Sequence, residues 1–393
     1  MAIEAVDPRA RGLRSRPAHQ AVGVLGVIGR LDWLLLGAAG GAVGYGVWAI
    51  AGITRHDPGG SLASRQFLYA AAGSLLLVGA ILVDPSVYRR LYRAIYVAFI
   101  GVMGFVLVFG AATRGSKRWI NIGFFTFQPS EFGKVLLALT LAAFIADRSK
   151  EVGGIGVPLR TIGLALLPIM LVFLQPDAGT AIVYTAVLTA VLFVAGVRWL
   201  HLAVIWTIAL VGILSVLWWL PAQGINVLKP YQTARLTDFA SATGQAAGST
   251  SYNLTQSKIA VGSGGVRGLG VAGATQTALD YLPAHDTDFA FASLAEQRGF
   301  LGASILLLLY LLIVWRGLKI VTTARDLYGA IVAAGIVFAF MVQVFVNVGM
   351  TIGIAPITGI PLPFVSVGGS SMISNLAGIG ILQAIHARGG RRR

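Results

Sequence analysis

Long apolar runs separated by short clusters of charge organise this chain. Ten such runs stand out, at 33–53, 66–84, 94–112, 131–147, 161–175, 179–197, 200–220, 289–315, 328–352 and 368–387. Each approaches the roughly 20 residues a helix needs to cross a bilayer core, the shorter ones suiting helices buried among others. The pattern predicts an all-α polytopic membrane protein of about ten transmembrane helices. A tail over 1–32 precedes the membrane domain of 33–387, and a basic tail over 388–393 follows it. The longest connection, 221–288, falls between the seventh and eighth runs. Unstructured connections above about 15 residues are uncommon and usually functional. Within it, Tyr252 to Lys258 reads as a short amphipathic or re-entrant piece.

Composition narrows the picture. The chain is 56% hydrophobic and 11% charged, with a mean hydropathy of +0.79, which excludes an ordinary soluble enzyme. Its 50 glycines follow no three-residue period, so it is not collagen-like. The absence of cysteine excludes disulfides, thiolate zinc sites and cysteine nucleophiles. The first long run starts too deep for a signal peptide. Gly37/Gly41 and Gly40/Gly44 have the small-xxx-small spacing expected at close helix crossings. Gly268, Gly270 and Gly273 fit a dinucleotide-binding pattern, but no βαβ unit surrounds them.

A net charge of +15 on so apolar a chain points to membrane topology rather than nucleic acid. One alternate set of connections holds 19 basic residues, including five in the N-terminal tail and four from Arg388 onward; the other set holds 9. By the positive-inside rule both termini are cytoplasmic and 221–288 lies outside. The outer set includes the cluster of Arg114, Lys117 and Arg118, read either as solvated interface charge or as an anion site.

Few ionisable groups lie in the apolar runs. Glu131 and Lys134, spaced i, i+3, share a helix face, either as a self-neutralising pair or as the wall of a polar cavity. Asp280, His285, Asp286 and Asp288 precede the eighth run. They could share a cation, tune one another's pKa, or form a hydrated rim. Asp177 is placed to cap the sixth helix. The turn Pro356–Ser371 offers backbone N–H groups and hydroxyls to a headgroup, or caps the last helix.

The chain resembles the SEDS (shape, elongation, division and sporulation) family of peptidoglycan polymerases. The likeness rests on Arg118-Trp119-Ile120-Asn121, Phe127-Gln128-Pro129-Ser130-Glu131-Phe132-Gly133-Lys134 and Gln175-Pro176-Asp177. It continues with Gln256-Ser257-Lys258-Ile259-Ala260, Thr287-Asp288-Phe289, Pro361-Leu362-Pro363-Phe364 and Gly368-Gly369-Ser370-Ser371. The motifs stand in the expected order over 114–377, and Gln256–Ala260 and Thr358-Gly359-Ile360-Pro361-Leu362-Pro363 look more like the elongation branch, RodA, than the division branch, FtsW. Ala284, Val367 and Glu296-Gln297-Arg298-Gly299 depart from the usual Glu, Tyr and Glu-Glu-Leu-Gly.

The resemblance implies an inverting glycosyltransferase of the bacterial plasma membrane. It would polymerise lipid II into β-1,4-linked glycan at an outward-facing site and release undecaprenyl pyrophosphate. It makes Asp288, Glu131 and Lys134 the catalytic candidates. Lys117, Arg118, Trp119, Gln128, Ser130, Asp177, Gln256, Lys258, Ser366, Ser370 and Ser371 become candidates for substrate binding. Asp288 would act as general base or hold a divalent cation, Mg2+ or Mn2+; no organic cofactor is implied. The implied partners are lipid II, a class B penicillin-binding protein transpeptidase and membrane lipid, with no nucleic acid. A lipid II flippase suits the polar cavity and ten helices equally well, and would leave its substrate chemically unchanged; a scaffold for the transpeptidase alone would not explain the intramembrane charges.

Overall fold

The computed structural model describes residues 26, 29–55, 62–113, 116–122, 125–224 and 249–389. The chain is a polytopic helical bundle, with a helix under every predicted apolar run. These are α1 (Trp33–Ile53), α2 (Ala63–Leu82) and, after the six-residue α3 (Pro85–Arg90), α4 (Tyr92–Phe109). Then come α5 (Pro129–Ala146), α6 (Gly156–Leu174) and α7 (Ala178–Val194), followed by α8 (Trp199–Ala222). Beyond the long connection lie α12 (Ala290–Thr323), α13 (Leu327–Ile352) and α14 (Gly369–Arg388). Among the described residues, eight helices are long and apolar enough to cross a membrane; α7 is shorter, and α14 carries more polar positions.

Local chemistry sets several starts. Asp32, Asp177 and Asp326 accept from the amide three residues on, in α1, α7 and α13, and Pro129 opens α5 where a missing N–H costs nothing. Gly353 closes α13 with φ +82°, a left-handed conformation natural to glycine. The core runs through α5, α7 and α13, where Gly335 admits Ala138 and Val187.

The end of the bundle away from the hairpin and the long connection is clamped by charge. The buried Asp32 carboxylate accepts from Arg316 at 2.6 Å. The Gln383 side chain bonds both backbone groups of Asp32, at 2.9 and 2.8 Å. One residue thus ties α1, α12 and α14 together.

Three expectations change. The third apolar run does not stay helical to 112. After Gly110 the chain becomes a small antiparallel sheet, β1 (Ala111–Thr113), β2 (Ser116–Ile122) and β3 (Phe125–Phe127). Ile120 pairs with Phe127 and Asn121 with Thr126, so this hairpin leads directly into α5. The segment around Tyr252–Lys258 lies within α9 (Ser249–Ser263). There the buried Ala260 packs against Met350, Phe289 and Leu282, and Ser257 Oγ donates to the Thr351 carbonyl at 2.8 Å. Two short helices, α10 (Gly270–Gly273) and α11 (Thr275–Ala278), then lead back to α12.

The glycine stripe on α1 is the third change. Gly37, Gly40 and Gly44 have open space where a side chain would stand, and Gly41 meets only Leu309. The close approach is at Gly46, where a Cβ would stand 2.2 Å from the Phe364 carbonyl oxygen. The spacing was right for a helix crossing, but it lies on the outward face of α1. Gly46→Ala is therefore expected to destabilise the protein by about 1–3 kcal/mol, as overpacking does. Gly37→Ala and Gly44→Ala should be neutral or stabilising by up to about 1 kcal/mol, all read from thermal unfolding in detergent.

Candidate active site

A cavity of about 430 Å³ opens at the hairpin end of the bundle. Three helices begin on it, α5, α7 and α14, and β2 and the residues before α12 complete its wall. Glu131, Asp177, Thr180, Ser370 and Ser371 line it from the three helix starts, Arg118, Trp119 and Asn121 from β2, and Thr287 and Asp288 from the approach to α12.

Gln128, the residue before α5, is the hub. Its backbone N–H donates to Ser370 Oγ at 2.8 Å, and that hydroxyl donates to the Thr126 carbonyl. Its side-chain amide donates to Ser130 Oγ and to Asp177 Oδ2, each at 3.1 Å. Hairpin, α5, α7 and α14 are thereby fixed to one another at the cavity.

The charges follow the same logic. Asp177 Oδ1 accepts the Thr180 amide that it caps and lies 3.6 Å from the Arg118 guanidinium. That guanidinium stacks 4.3 Å from the Trp119 ring, while its buried Nε lacks a hydrogen-bond partner. Glu131 is held by Lys134 at 2.6 Å. Asp288 is positioned through its neighbours. Asn347 donates to the Asp288 and Ile360 carbonyls, Ser366 Oγ donates to the Thr287 carbonyl, and Val367 N–H donates to the Asp286 carbonyl. Gly359 lies close beside it, a Cβ there standing 3.6 Å from Asp288 Oδ2.

Of the residues singled out in the sequence, Asp288, Glu131, Arg118, Trp119, Gln128, Asp177, Ser370 and Ser371 share this cavity. Lys134 does not line it. Because α5 runs away from the cavity, position 134 sits about 4.5 Å deeper than 131, in a separate small interior pocket with Gln343 and Asn375. Ser130 is buried outside the cavity lining, its hydroxyl accepting from Gln128. Ser366 is buried too, its hydroxyl accepting from Leu362 N–H while donating to Thr287. Gln256 and Lys258 lie on α9 outside the lining, with Lys258 packed at Gly353. The side chain of Lys117, like Arg114, lies outside the described residues.

The acidic group before α12 separates. Asp280 faces His285 at 3.3 Å, only Asp288 reaches the cavity, and no cluster of three or more metal-ligating side chains occurs among the described residues. The cavity also takes in Asn121, Thr126, Thr180, Thr287, Gly359 and Pro361. Asn121, Thr287, Gly359 and Pro361 belong to the motifs that carry the resemblance and Thr180 to the turn after Gln175, so their presence there was a usable signal; Thr126 had none.

A polar cavity built from helix starts, inside a multi-pass apolar bundle, defines a membrane-embedded protein with a site for a polar group. Residues 30–389 match the FtsW/RodA/SpoVE family, described as cell cycle proteins, and the chain belongs to that family. It is 36% identical over 344 residues to the peptidoglycan glycosyltransferase MrdB of Escherichia coli K12, covering 86% of this chain and 88% of MrdB. Stage V sporulation protein E of Bacillus subtilis is 34% identical over 354 residues, covering 89% of this chain and 93% of that protein. Among solved structures, a chain from a study of polymerization and crosslinking by a peptidoglycan synthase complex superposes with a TM-score of 0.75 at 28% identity. That match covers 91% of this chain and 97% of the other. The rod shape determining protein RodA of Thermus thermophilus gives 0.66 at 27% identity, with the same coverages.

The Glu131–Lys134 pair makes a stability prediction. Lys134→Met leaves a buried carboxylate uncompensated and should cost about 3–5 kcal/mol, whereas Glu131→Gln with Lys134→Met should recover most of it. Thermal melting of the three purified proteins reads this directly.

Proposed function

We propose that this chain is an inverting peptidoglycan glycosyltransferase that polymerises lipid II in the bacterial inner membrane, acting in elongation and cell shape. The carrying observation is the convergence of three helix N-termini, the Arg118 guanidinium and the Asp288 carboxylate on one cavity. Helix N-termini favour anions, and α14 begins at Gly368 with no side-chain cap. The amides of its first turn therefore suit the oxygens of a pyrophosphate. The partnerless Nε of Arg118 adds a charged donor of the kind that binds phosphate most strongly.

The reaction follows from that division. The acceptor hydroxyl attacks the anomeric carbon of the donor in line, and its proton passes to the Asp288 carboxylate. The bond from that carbon to pyrophosphate breaks, and the electron pair leaves on undecaprenyl pyrophosphate. Inversion turns an α-linked donor into a β-1,4 bond. Arg118 and the start of α14 stabilise the charge that develops on the leaving group. Glu131 shapes the wall, and Lys134 holds its carboxylate in place from below.

A divalent cation fits this donor set. In place of its role as base, Asp288 would hold Mg2+ or Mn2+ with pyrophosphate oxygens and water, one carboxylate with substrate phosphate being a common arrangement for Mg2+. Such an ion would neutralise charge on the leaving group.

The positive-inside bias supports cytoplasmic termini and an outward cavity. Lipid II carries its sugars on that side when they are polymerised, and a class B penicillin-binding protein is the partner that would cross-link the product. The likeness to a chain from a peptidoglycan synthase complex supports that pairing. A flippase would need a route through the bundle. Beyond Glu131, the pocket beside Lys134 is a separate one of about 20 Å³ with largely apolar walls.

Purified protein with lipid II tests the assignment. Asp288→Asn should lower polymer formation by about 10²–10⁴, the usual worth of a general base; polymer at the wild-type rate defeats it. Chelation should abolish polymer and added Mg2+ or Mn2+ should restore it, and full activity in chelator removes the cation from the scheme.

A further inference from the structure

Arg298 is a cation in an apolar spanning helix that the proposed chemistry does not use. It lies eight residues into α12, about 12 Å along the axis from the cavity end, half-buried against α1 and outside the cavity lining. Its guanidinium stacks 3.8 Å from the half-exposed Trp48 ring of α1. The Trp48 ring in turn lies 5.5 Å from Tyr45, whose hydroxyl donates to the Gly302 carbonyl. The buried Nε of Arg298 has no hydrogen-bond partner, and no ion pair joins it among the described residues. The nearby carboxylate, Glu296, is turned inward and fully used, accepting from the Gln276 and Thr277 amides and the Thr277 hydroxyl.

A second arginine is brought to the same place. The helix breaks at Gly299, with φ +65°, and segment 264–269 wraps the break. Phe300 N–H donates to the Gly265 carbonyl, Leu301 N–H to Val266, and Leu269 N–H to Glu296. This sets the backbone of Arg267 against Gly299, with an exposed side chain. Around the two arginines, Val266, Leu269, Phe300 and Leu301 project outward and are between 45% and 68% exposed. Uncompensated cations inside membrane segments are costly and point to a specific partner, and an exposed apolar surround selects a partner with hydrocarbon attached.

We propose that Arg298, Arg267 and Trp48 form a binding site for the phosphate headgroup of an anionic bilayer phospholipid at the cavity end of α1 and α12. The phosphate takes charge-assisted hydrogen bonds from the two guanidiniums, Trp48 holds Arg298 in place by stacking, and the acyl chains lie along Phe300 and Leu301. Bilayer lipid rather than free phosphate is the ligand, because the protruding apolar side chains have no role in binding a soluble anion.

The test is native mass spectrometry of the full chain in detergent, titrated with phosphatidylglycerol or phosphatidylcholine. Wild type should retain one phosphatidylglycerol more tightly than phosphatidylcholine. Arg298→Leu and Arg267→Ala should each weaken that retention roughly tenfold, the scale of one lost charge-assisted bond. Lipid-induced thermal stabilisation should fall in parallel while melting without lipid is unchanged for Arg267→Ala, whose exposed side chain is not needed for folding. Millimolar inorganic phosphate should not displace the lipid. Equal retention by wild type and both variants overturns the site, and complete displacement by inorganic phosphate overturns the assignment to lipid.

Discussion

A carboxylate or ammonium inside an apolar bundle must find a partner or shed its charge, and this constraint organises the protein from end to end. At one end Asp32 serves as helix cap, ion-pair partner of Arg316 and backbone partner of Gln383 at once. At the other, Glu131 is matched by Lys134 and Asp177 by Arg118. Both cavity pairs join a residue in the wall to a fixed point of the frame. Each therefore holds its carboxylate in a fixed orientation. Coulomb attraction in so dry a setting is strong, but so is the desolvation it must offset. What the pairs contribute most clearly is position.

The second organising device is the clustering of helix starts. A helix N-terminus leaves amides unsatisfied, so three of them at one point would be unstable in hydrocarbon without polar company. Gln128, Ser370 and Asp177 supply part of that company by bonding across elements. The start of α14 has glycine where a capping side chain would stand, which leaves its first amides facing the cavity. The buried turn before it is equally committed. Phe364 is held at φ +67° between Phe340 and the tight approach of Gly46, with Tyr310 donating to the Pro363 carbonyl. A strained residue kept in a buried turn points to a constraint on shape, and here the turn fixes Ser366 against the backbone of Thr287, next to Asp288.

The spans were legible because hydrocarbon thickness imposes a length that composition alone reveals. Much of the cavity was legible too, since charged or amide side chains such as Arg118, Gln128, Glu131, Asp177 and Asp288 stand out against apolar surroundings. Other features depend on the third dimension. Strands of three residues in a hairpin carry too short an alternation to separate from a helix end, so β1 was hidden in an apolar run. Lys134 shares a face with Glu131, but only the direction of α5 decides which of them meets the cavity. Ser366 and Ser130 are hydroxyls in recurring motifs, and spacing cannot distinguish one that bonds the backbone from one that bonds a ligand. The α1 glycines show the same limit, because a stripe of small residues does not say which side of the helix faces the bundle.

The break in α12 joins these themes. Up to Glu296 the helix serves the interior: its carboxylate anchors α11, and the residues just before it place Asp288. From Arg298 onward its outer face serves the lipid. Gly299 allows the change because a residue with a side chain would collide with the backbone at 266–268, so the wrapping segment and the helix break require each other. The long connection is accordingly bound at α13 through Ser257, at Glu296 through α11, and at Gly299 through the wrap. The last two of these anchors lie on the stretch of α12 that follows Asp288, so the lipid-facing surface and the cavity flank one short length of backbone although they share no side chain.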